Sequence, residues 1–457
     1  MATELQTMTR HSTSTGIHSQ QSRPTSQRTI SQLNQLEQND SPDDAAFSTT
    51  AIPDGGYGWV IVVCAAIATF WINAILNCWG VVQAALLSST LAGTSASTVA
   101  FIGSLTLSTS AVCGILSTRL MRLTGSRTAA LLGITVMGTG FIAGSFCTSN
   151  IAGLFITVGF MTGLGMSSVY VVTNALPVQY FSGRLGLANG IVKLGGGIGG
   201  AVMAVALGAM IDRVGIEWTL RLQGLMTIGT GMPIAWFLKD RARPRNVPFV
   251  DLSMFRNATY VSMLIGGSMV TFALFVPPFY LPLFAQSLGQ SLSTGAALVA
   301  AFNACNAAGR FFSGPLCDKI GSANTLLGVL LLNALTMLTI WPVSDSIGPL
   351  VLFAVLNGVA NGAFFTVFPT VVANIFGPGR AAIAMSMSIT GFAPGYLLGA
   401  PIAGYLLQAA ESAGPAIAGD INIYRPAIFY AGGIALVSSM VVLWARLSIS
   451  KKMFIKV

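Results

Sequence analysis

The sequence predicts an all-α membrane protein of twelve transmembrane helices in two pseudo-symmetric six-helix halves. Of its 457 residues, 53% are hydrophobic and only 8% are charged, whereas soluble domains carry about 25% charged residues. Twelve apolar runs each approach or exceed the ~20 residues that cross a bilayer as a helix. A basic segment, 239–257, separates six of these runs from the other six.

The chain begins with a polar segment, residues 1–52, that is rich in Ser, Thr and Gln. It has no apolar stretch of the kind found in a signal peptide, and such a composition cannot bury a core. We therefore expect a disordered cytoplasmic tail. Both histidines, His11 and His18, fall in this tail, so the predicted helices contain none.

The first predicted helix opens with Asp54-Gly55-Gly56-Tyr57-Gly58-Trp59 and then runs to residue 86 without a charge. An Asp can cap free backbone N–H groups, and two glycines permit a tight turn. Tyr and Trp favour the headgroup level of a bilayer. These properties predict an anchored start of a transmembrane helix.

The other apolar runs predict eleven further helices, each bounded by polar or glycine-containing segments. The twelve predicted spans are residues 57–86, 95–118, 128–147, 151–174, 185–211, 218–238, 258–285, 293–313, 323–342, 347–372, 381–408 and 424–446. They define an N-terminal half (53–238), a cytoplasmic linker loop (239–257), a C-terminal half (258–446) and a cytoplasmic tail (447–457).

The distribution of Lys and Arg predicts that both termini are cytoplasmic. Of the 23 Lys and Arg residues, Arg213, Arg221 and Arg425 alone fall on the predicted outer side, and Lys193 and Arg310 fall within spans. The others lie in the tails or in the loops on the same side as the termini, as the positive-inside rule requires. The net charge of +9 therefore reflects membrane orientation, and we expect no nucleic-acid partner.

The two halves contain matching residues at matching intervals. Gly163 precedes Phe181 by 18 residues, as Gly358 precedes Phe376. Each phenylalanine is followed by a short glycine-containing turn and an arginine, Arg184 or Arg380, with an alanine four residues later, Ala188 or Ala384. Gly125-Ser126 matches Gly321-Ser322 more faintly. Such repeats are typical of transporter halves, with chance in a glycine-rich sequence as the alternative.

Several other kinds of site are not supported by the sequence. The six cysteines have no CxxC spacing, so neither disulfides nor a metal site is expected. The run Gly195-Gly196-Gly197-Ile198-Gly199-Gly200 lacks the Gly-Lys-Ser/Thr ending of a phosphate loop, so we expect no nucleotide cofactor. No nucleophile–base pair is evident, and an enzyme is the weakest class.

Three sequence motifs resemble those of the monocarboxylate transporter family of the major facilitator superfamily. The first is the opening of helix one, with Asp54, Gly55, Gly56 and Trp59 as its signature. The second is Tyr180-Phe181-Ser182-Gly183-Arg184, and the third is Gly309-Arg310 followed by Gly314 to Gly321. The resemblance covers about 54–446 and implies the major facilitator fold and transport by alternating access.

Candidate binding residues are the rare polar groups inside spans, because a charge there costs at least ~2.5 kcal/mol. Arg310 lies eight residues before Asp318, hence about 12 Å deep, and Lys193 lies nine residues beyond Arg184, hence about 13–14 Å deep. One cation from each half suits a central anion site. The alternatives are a snorkelling Lys193 and an Arg310 in a structural ion pair or carbonyl clamp.

Relatives that move short monocarboxylates with protons resemble one another in a helix-eight Asp and a helix-one Lys, where this chain has Asn306 and Asn77. We expect Asn77, Lys193, Asn306 and Arg310 to bind substrate. Amide and aromatic residues are candidates for the cavity lining: Asn73, Tyr170, Asn303, Asn361 and Phe365. Interhelical hydrogen bonding is the alternative for the asparagines.

No Asp, Glu or His lies deep in a span, so a proton would be carried by the cargo's own carboxyl group or by Lys193. We predict a secondary active or facilitative transporter of an organic acid or amphipathic carboxylate, functional as a monomer in the cell membrane. The polar tail resembles that of fungal relatives, which makes an efflux transporter for a secondary metabolite the alternative. A non-transporting sensor with the same fold is a further alternative.

Overall fold

The structure is a computed structural model that describes residues 55–181, 184–241, 252–376, 378–413 and 421–449. The described residues fold into twelve rods of helix. Their bounds, in chain order, are α1 Tyr57–Ser88, α2 Ala96–Val112 with Gly114–Thr124, α3 Ser126–Gly144, α4 Ile151–Tyr180, α5 185–214, α6 215–237, α7 Ala258–Ser287, α8 Leu292–Ile320, α9 Ser322–Val343, α10 Ile347–Phe376, α11 Pro378–Ala413 and α12 Arg425–Ile449. The predicted all-α fold class is confirmed.

Eight of the described helices are long and apolar enough to cross a membrane, or nine if the bent α2 is one span. One of these, Leu185–Phe237, has 53 residues and would measure about 80 Å, more than twice the hydrocarbon thickness. It is broken at Gly215, whose φ of 78° and ψ of 170° are not helical, so it provides both α5 and α6. With α8 and α11, the described chain supplies the twelve predicted spans.

Two other rods change direction inside the bundle. In α2 the axis bends by 52° at Cys113. In α7 the helix pauses at Phe275, just before Pro277 and Pro278, which cannot donate backbone hydrogen bonds. The pause leaves the carbonyl group of Leu274 free to accept a hydrogen bond from a side chain, and this bond contributes to the central site.

Each half joins the start of its third helix to the end of its sixth. In the N-terminal half, Asp240 beyond α6 accepts hydrogen bonds from the backbone N–H and the Oγ of Ser126 at the start of α3, at 2.6 and 2.5 Å. In the C-terminal half, Arg446 of α12 donates through Nε to Asn324 of α9 at 2.7 Å. The ends of α6 and α12 therefore occupy equivalent positions.

The turns before these two helices also share one backbone conformation. Gly125 has φ 86° and ψ 159°, and Gly321 has φ 92° and ψ 149°. A positive φ strains residues with a side chain, which accounts for glycine at both turns. The fainter of the predicted internal repeats is thereby confirmed in three dimensions.

The two halves touch on the side of the bundle that holds the α1–α2 turn, called here the far side. The opposite side, where α1 begins and α6 ends, is called the tail side. On the far side Ser97 of α2 donates to the carbonyl oxygen of Pro401 of α11 at 2.7 Å, and Gly208 of α5 lies against Ala296 of α8. The bundle is therefore closed on the far side.

Candidate functional site

Arg310 of α8 lies between the halves and is oriented by side-chain amides from both. Its Nε donates to Oδ1 of Asn306 at 2.9 Å, one turn earlier on α8. Its Nη2 donates to Oδ1 of Asn73 of α1 at 3.3 Å. Asn77 donates to the same Asn73 oxygen at 3.4 Å. Four of the predicted site residues are thus joined in one network across the molecular centre.

A second set of hydrogen bonds fixes Asn306 itself. Its Nδ2 donates to Oδ1 of Asn361 on α10 at 2.9 Å, and Asn361 donates to the carbonyl oxygen of Leu274 at 2.7 Å. Glycines permit this approach, because a Cβ added at Gly309 or Gly362 would overlap the backbone of the facing helix. The amides therefore form hydrogen bonds with one another and with Arg310. These bonds hold the guanidinium in one orientation.

The guanidinium retains hydrogen-bonding capacity. An arginine has five N–H donors, and Arg310 uses two of them within the described part of the chain. Its Cζ lies 5.3 Å from the centre of the Phe365 ring, within the range of a cation–π contact. The side chain is half-buried. It is therefore held at one edge and can bind an anion at the other.

Lys193 of α5 is the second cation of the site and is positioned by α4. Its Nζ donates to Oδ1 of Asn174 at 2.7 Å and lies 5.2 Å from the centre of the Tyr170 ring. Asn174 in turn donates to the carbonyl oxygen of Tyr170 at 2.6 Å. Lys193 is half-buried and uses one of its three donors here.

Groups from the two halves face one another at this level. Arg310 lies within electrostatic range of Lys193 and of two tyrosines, Tyr170 of α4 and Tyr396 of α11. Tyr170 is 37% exposed in the middle of its helix. The two cations and the two phenol groups thus lie near one another between the halves. The partial exposure of Arg310, Lys193 and Tyr170 shows that there is space among them, called here the gap.

Aromatic rings of the C-terminal half form one wall of this gap. The ring of Phe275 at the α7 pause lies 5.5 Å from that of Tyr396 and 6.4 Å from that of Phe365. Phe392 lies 6.2 Å from Tyr396 and 5.1 Å from Phe368. The gap therefore combines a cationic end with an aromatic wall.

The sequence did not predict Asn174, Tyr396 and Phe275 as site residues. Each is a common neutral residue within an apolar run, and its role depends on a neighbour from another helix. One signal was available for Asn174, because it follows Tyr170 by one helical turn and is a polar residue inside a span.

Other predicted residues lie outside this network. Asn303 is 1% exposed against Gly200 of α5, and neither amide atom has a hydrogen-bond partner among the described residues. Asn357 is turned towards α9, where it donates to Oγ1 of Thr336 at 2.9 Å. Asn357, one helical turn before Asn361, therefore forms an interhelical bond, whereas Asn361 belongs to the network around Arg310.

The signature residues of helix one have a structural role on the tail side. Gly56 begins α1 with a φ of 61°, and Trp59 packs edge-on against Phe181, with ring centres 4.9 Å apart. A Cβ at Gly58 would lie 2.8 Å from the same ring. The first two sequence motifs are thus in contact. Gly55 is described, whereas Asp54 lies outside the described residues, as do the N-terminal tail, residues 450–457 of the C-terminal tail and most of the linker loop.

A family model of the Major Facilitator Superfamily matches residues 58–302 and 263–453. The chain belongs to the major facilitator superfamily. It is a multi-pass membrane transporter, and members of the superfamily carry small-molecule substrates.

Curated relatives include fungal transporters of similar length. "MFS-type transporter 1" of Ophiocordyceps sp. (strain BCC 1869) is 26% identical over 90% of each chain. The aspyridones efflux protein apdF of Emericella nidulans is 28% identical over 84% of this chain and 77% of its own. The agnestins efflux protein AgnL12 of Paecilomyces divaricatus is 26% identical over 91% of this chain and 92% of its own.

Solved structures share the fold at low sequence identity. A D-xylose–proton symporter has a TM-score of 0.67 and 12% identity, covering 85% of this chain and 97% of its own. A bacterial homologue of the lysosomal transporter Spinster, in an inward-facing and occupied conformation, has a TM-score of 0.65 and 16% identity. It covers 87% of this chain and 99% of its own. The predicted major facilitator fold is confirmed.

Proposed function

We propose that this transporter moves an amphipathic organic carboxylate by alternating access, with the carboxylate bound between Arg310 and Lys193. One observation carries the proposal: two half-buried cations from opposite halves line one gap and keep unused donors. Among the described residues neither has a carboxylate partner. A substrate carboxylate would supply the missing anion, and a guanidinium can bind it through two hydrogen bonds.

The aromatic wall supports a cargo with a sizeable apolar part. Phe275, Phe365 and Tyr396 offer ring surfaces next to Arg310, and apolar groups gain free energy when they leave water for such a wall. A short acid would leave this wall uncovered. An acidic compound with an aromatic or other apolar body would contact both ends of the site.

We propose export as the direction and a fungal secondary metabolite as the cargo class. Two relatives that align over most of their length are named as efflux proteins for aspyridones and agnestins. A second candidate, import of a small organic acid by a member of the monocarboxylate porter branch, is favoured by the Asp54-Gly55-Gly56 signature. Asn306 and Asn77 stand where the resemblance implies Asp and Lys in proton-coupled relatives. Their presence favours the first candidate, export of a secondary metabolite.

The test is transport of a panel of labelled carboxylates by the purified protein in vesicles, with and without a pH gradient. The panel should pair short monocarboxylates with larger aromatic acids. We expect movement of the larger acids, faster from the side that corresponds to the cytoplasm. If only neutral compounds move, the carboxylate assignment is wrong, and if only short acids move, the porter alternative is correct.

We further propose that the transporter lies in the cell membrane as a monomer with both termini in the cytoplasm. The basic residues around 239–257 and at the C-terminal end resist translocation. Epitope tags at either terminus and in the 239–257 loop should become accessible to antibody only after cells are permeabilised. Labelling of intact cells at any of the three would contradict this orientation.

A further inference from the structure

A second group of cations lies on the tail side of the N-terminal half, away from Arg310. It lines a cleft of about 640 Å³ between the starts of α1 and α3 and the end of α6. Arg127, Lys239 and Arg241 supply positive charge, and Tyr57 and Trp236 supply aromatic surface. We call this the head-group cleft.

Two cations of the described lining, Arg127 and Lys239, lie in a cleft that has a single acidic residue among its described lining residues. Asp240 is the one acidic residue in the described lining, and its carboxylate already accepts bonds from Ser126 and, at 3.4 Å, from Gln179. Arg127 stacks on Trp236, with Cζ 4.8 Å from the ring centre. A stacked guanidinium keeps its in-plane donors available. The cleft therefore favours an anion.

The surface that continues from the cleft into the membrane is apolar. On α1, Val60 and Ile67 are 41% and 37% exposed, and on α6, Met232 and Trp236 are 36% and 58% exposed. Deeper in the seam, Trp71 of α1 donates to Oγ1 of Thr230 of α6 at 2.8 Å. An anionic head placed in the cleft would therefore have an apolar groove beneath it.

We propose that the head-group cleft binds the phosphate of an anionic glycerophospholipid, with the acyl chains along the α1–α6 seam. This ligand is distinct from the transported cargo. The proposed orientation places the cleft at the cytoplasmic leaflet, where anionic lipids are concentrated and each nearby Lys or Arg adds about 1 kcal/mol of attraction. The exposed Trp236 suits the interface of a bilayer.

Native mass spectrometry of the purified full-length protein tests the proposal. The protein is offered phosphatidylserine and phosphatidylcholine with identical acyl chains at equal concentration. We expect wild type to retain phosphatidylserine preferentially. Arg127→Gln and Lys239→Gln should each reduce that preference roughly five-fold, since each removes one cation. The charge-preserving pair Arg127→Lys with Lys239→Arg should keep it.

Arg221→Gln is the matched control. Arg221 also stacks on aromatic rings, 4.5 Å from that of Phe146 and 4.7 Å from that of Trp218, but at the start of α6 on the far side. Its loss should leave the preference unchanged. Equal binding of both lipids by wild type would overturn the proposal without reference to any variant. Displacement of the lipid by an equal concentration of soluble glycerophosphoserine would assign the cleft to a free phosphate compound instead.

Discussion

At the scale of single residues, the main finding is that neutral amides orient a buried cation without neutralising it. Asn306 accepts a hydrogen bond from Nε of Arg310, at the position where the resemblance to proton-coupled monocarboxylate transporters implies an acid. An Asp there would form an ion pair with Arg310, since the two residues are one helical turn apart. The asparagine keeps the geometry and does not neutralise Arg310, as the proposed carboxylate site requires.

Changing Asn306 to Asp should therefore weaken anion binding. Asn306→Asp places a carboxylate about where Oδ1 now lies, 2.9 Å from Nε of Arg310, so we expect at least a tenfold loss of carboxylate transport. Adding Asn77→Lys restores a cation near Asn73 and should give proton-driven uptake of a short monocarboxylate. Both effects are measured as uptake in a defined pH gradient by wild type, by Asn306→Asp and by the double variant Asn306→Asp with Asn77→Lys. Unchanged transport by the Asn306→Asp variant would show that Arg310 does not bind the cargo.

The pH dependence of flux should depend on Lys193 or on the cargo, because the described helices place no Asp, Glu or His at the depth of Arg310. Lys193→Gln should alter or remove that dependence while the protein still reaches the membrane. The measurement is initial flux over a range of pH for cargo acids of different strength. Strong gradient-driven accumulation of a cargo without an ionisable group, unchanged in Lys193→Gln, would reveal another proton carrier.

The two cations that the sequence predicted share one property, which the missed Tyr396 lacks. Arg310 and Lys193 are costly in a membrane, so their presence alone indicated a site, and the spacing of Asn73 and Asn77 placed both on one face of α1. Tyr396 carries no such cost. Its role comes from packing between α7, α10 and α11, which local sequence does not specify.

At the scale of helices, hydrophobic runs predicted the number and order of the rods well but not their ends or breaks. Most helices extend beyond the apolar run, as α4 does to Tyr180, because the last turns lie in the headgroup region and tolerate polar residues. The pause in α7 had a sequence signal in Pro277 and Pro278. The bend at Cys113 lies next to Gly114, but an isolated glycine in a helical run does not by itself predict a bend.

The α5–α8 contact offers a test of helix packing between the halves. A Cβ at Gly197 would overlap the Cβ of Ala307, and such overpacking costs about 1–3 kcal/mol. We expect Gly197→Ala to lower transport by disfavouring the state closed on the far side. Flux and thermal unfolding of the purified protein would be measured together.

The same contact supplies its own controls. Ala307→Gly removes the nearest obstructing atom and leaves the Cα of residue 307 at 2.9 Å from the added Cβ, so it should restore transport to Gly197→Ala in part. Gly190, two turns earlier on α5, has open space around its Cα, so Gly190→Ala should behave like wild type. If the double variant is as impaired as Gly197→Ala, the loss has another cause than this contact.

At the scale of the whole molecule, the halves are closed on the far side while both site cations stay half-exposed in the middle of the bundle. The far-side contacts include Ser97 with Pro401 and Gly208 with Ala296. In an alternating-access cycle, contacts of this kind between the halves would have to break and form again. The sequence predicted the two halves but not this state, because one sequence must be compatible with both states.

The central claim, that the site selects a carboxylate through Arg310, is tested most directly by comparing one acid with its amide. Exchange of the labelled acid and of its amide would be measured in vesicles that contain wild type or Arg310→Gln at equal protein density. We expect wild type to move the acid at least tenfold faster, since hydrogen bonds to charged groups are worth about 1.5–3 kcal/mol. The Arg310→Gln variant should lose transport of the acid, and with it the difference in rate between the acid and the amide. Equal rates for acid and amide in wild type, or normal movement of the acid by Arg310→Gln, would contradict the claim.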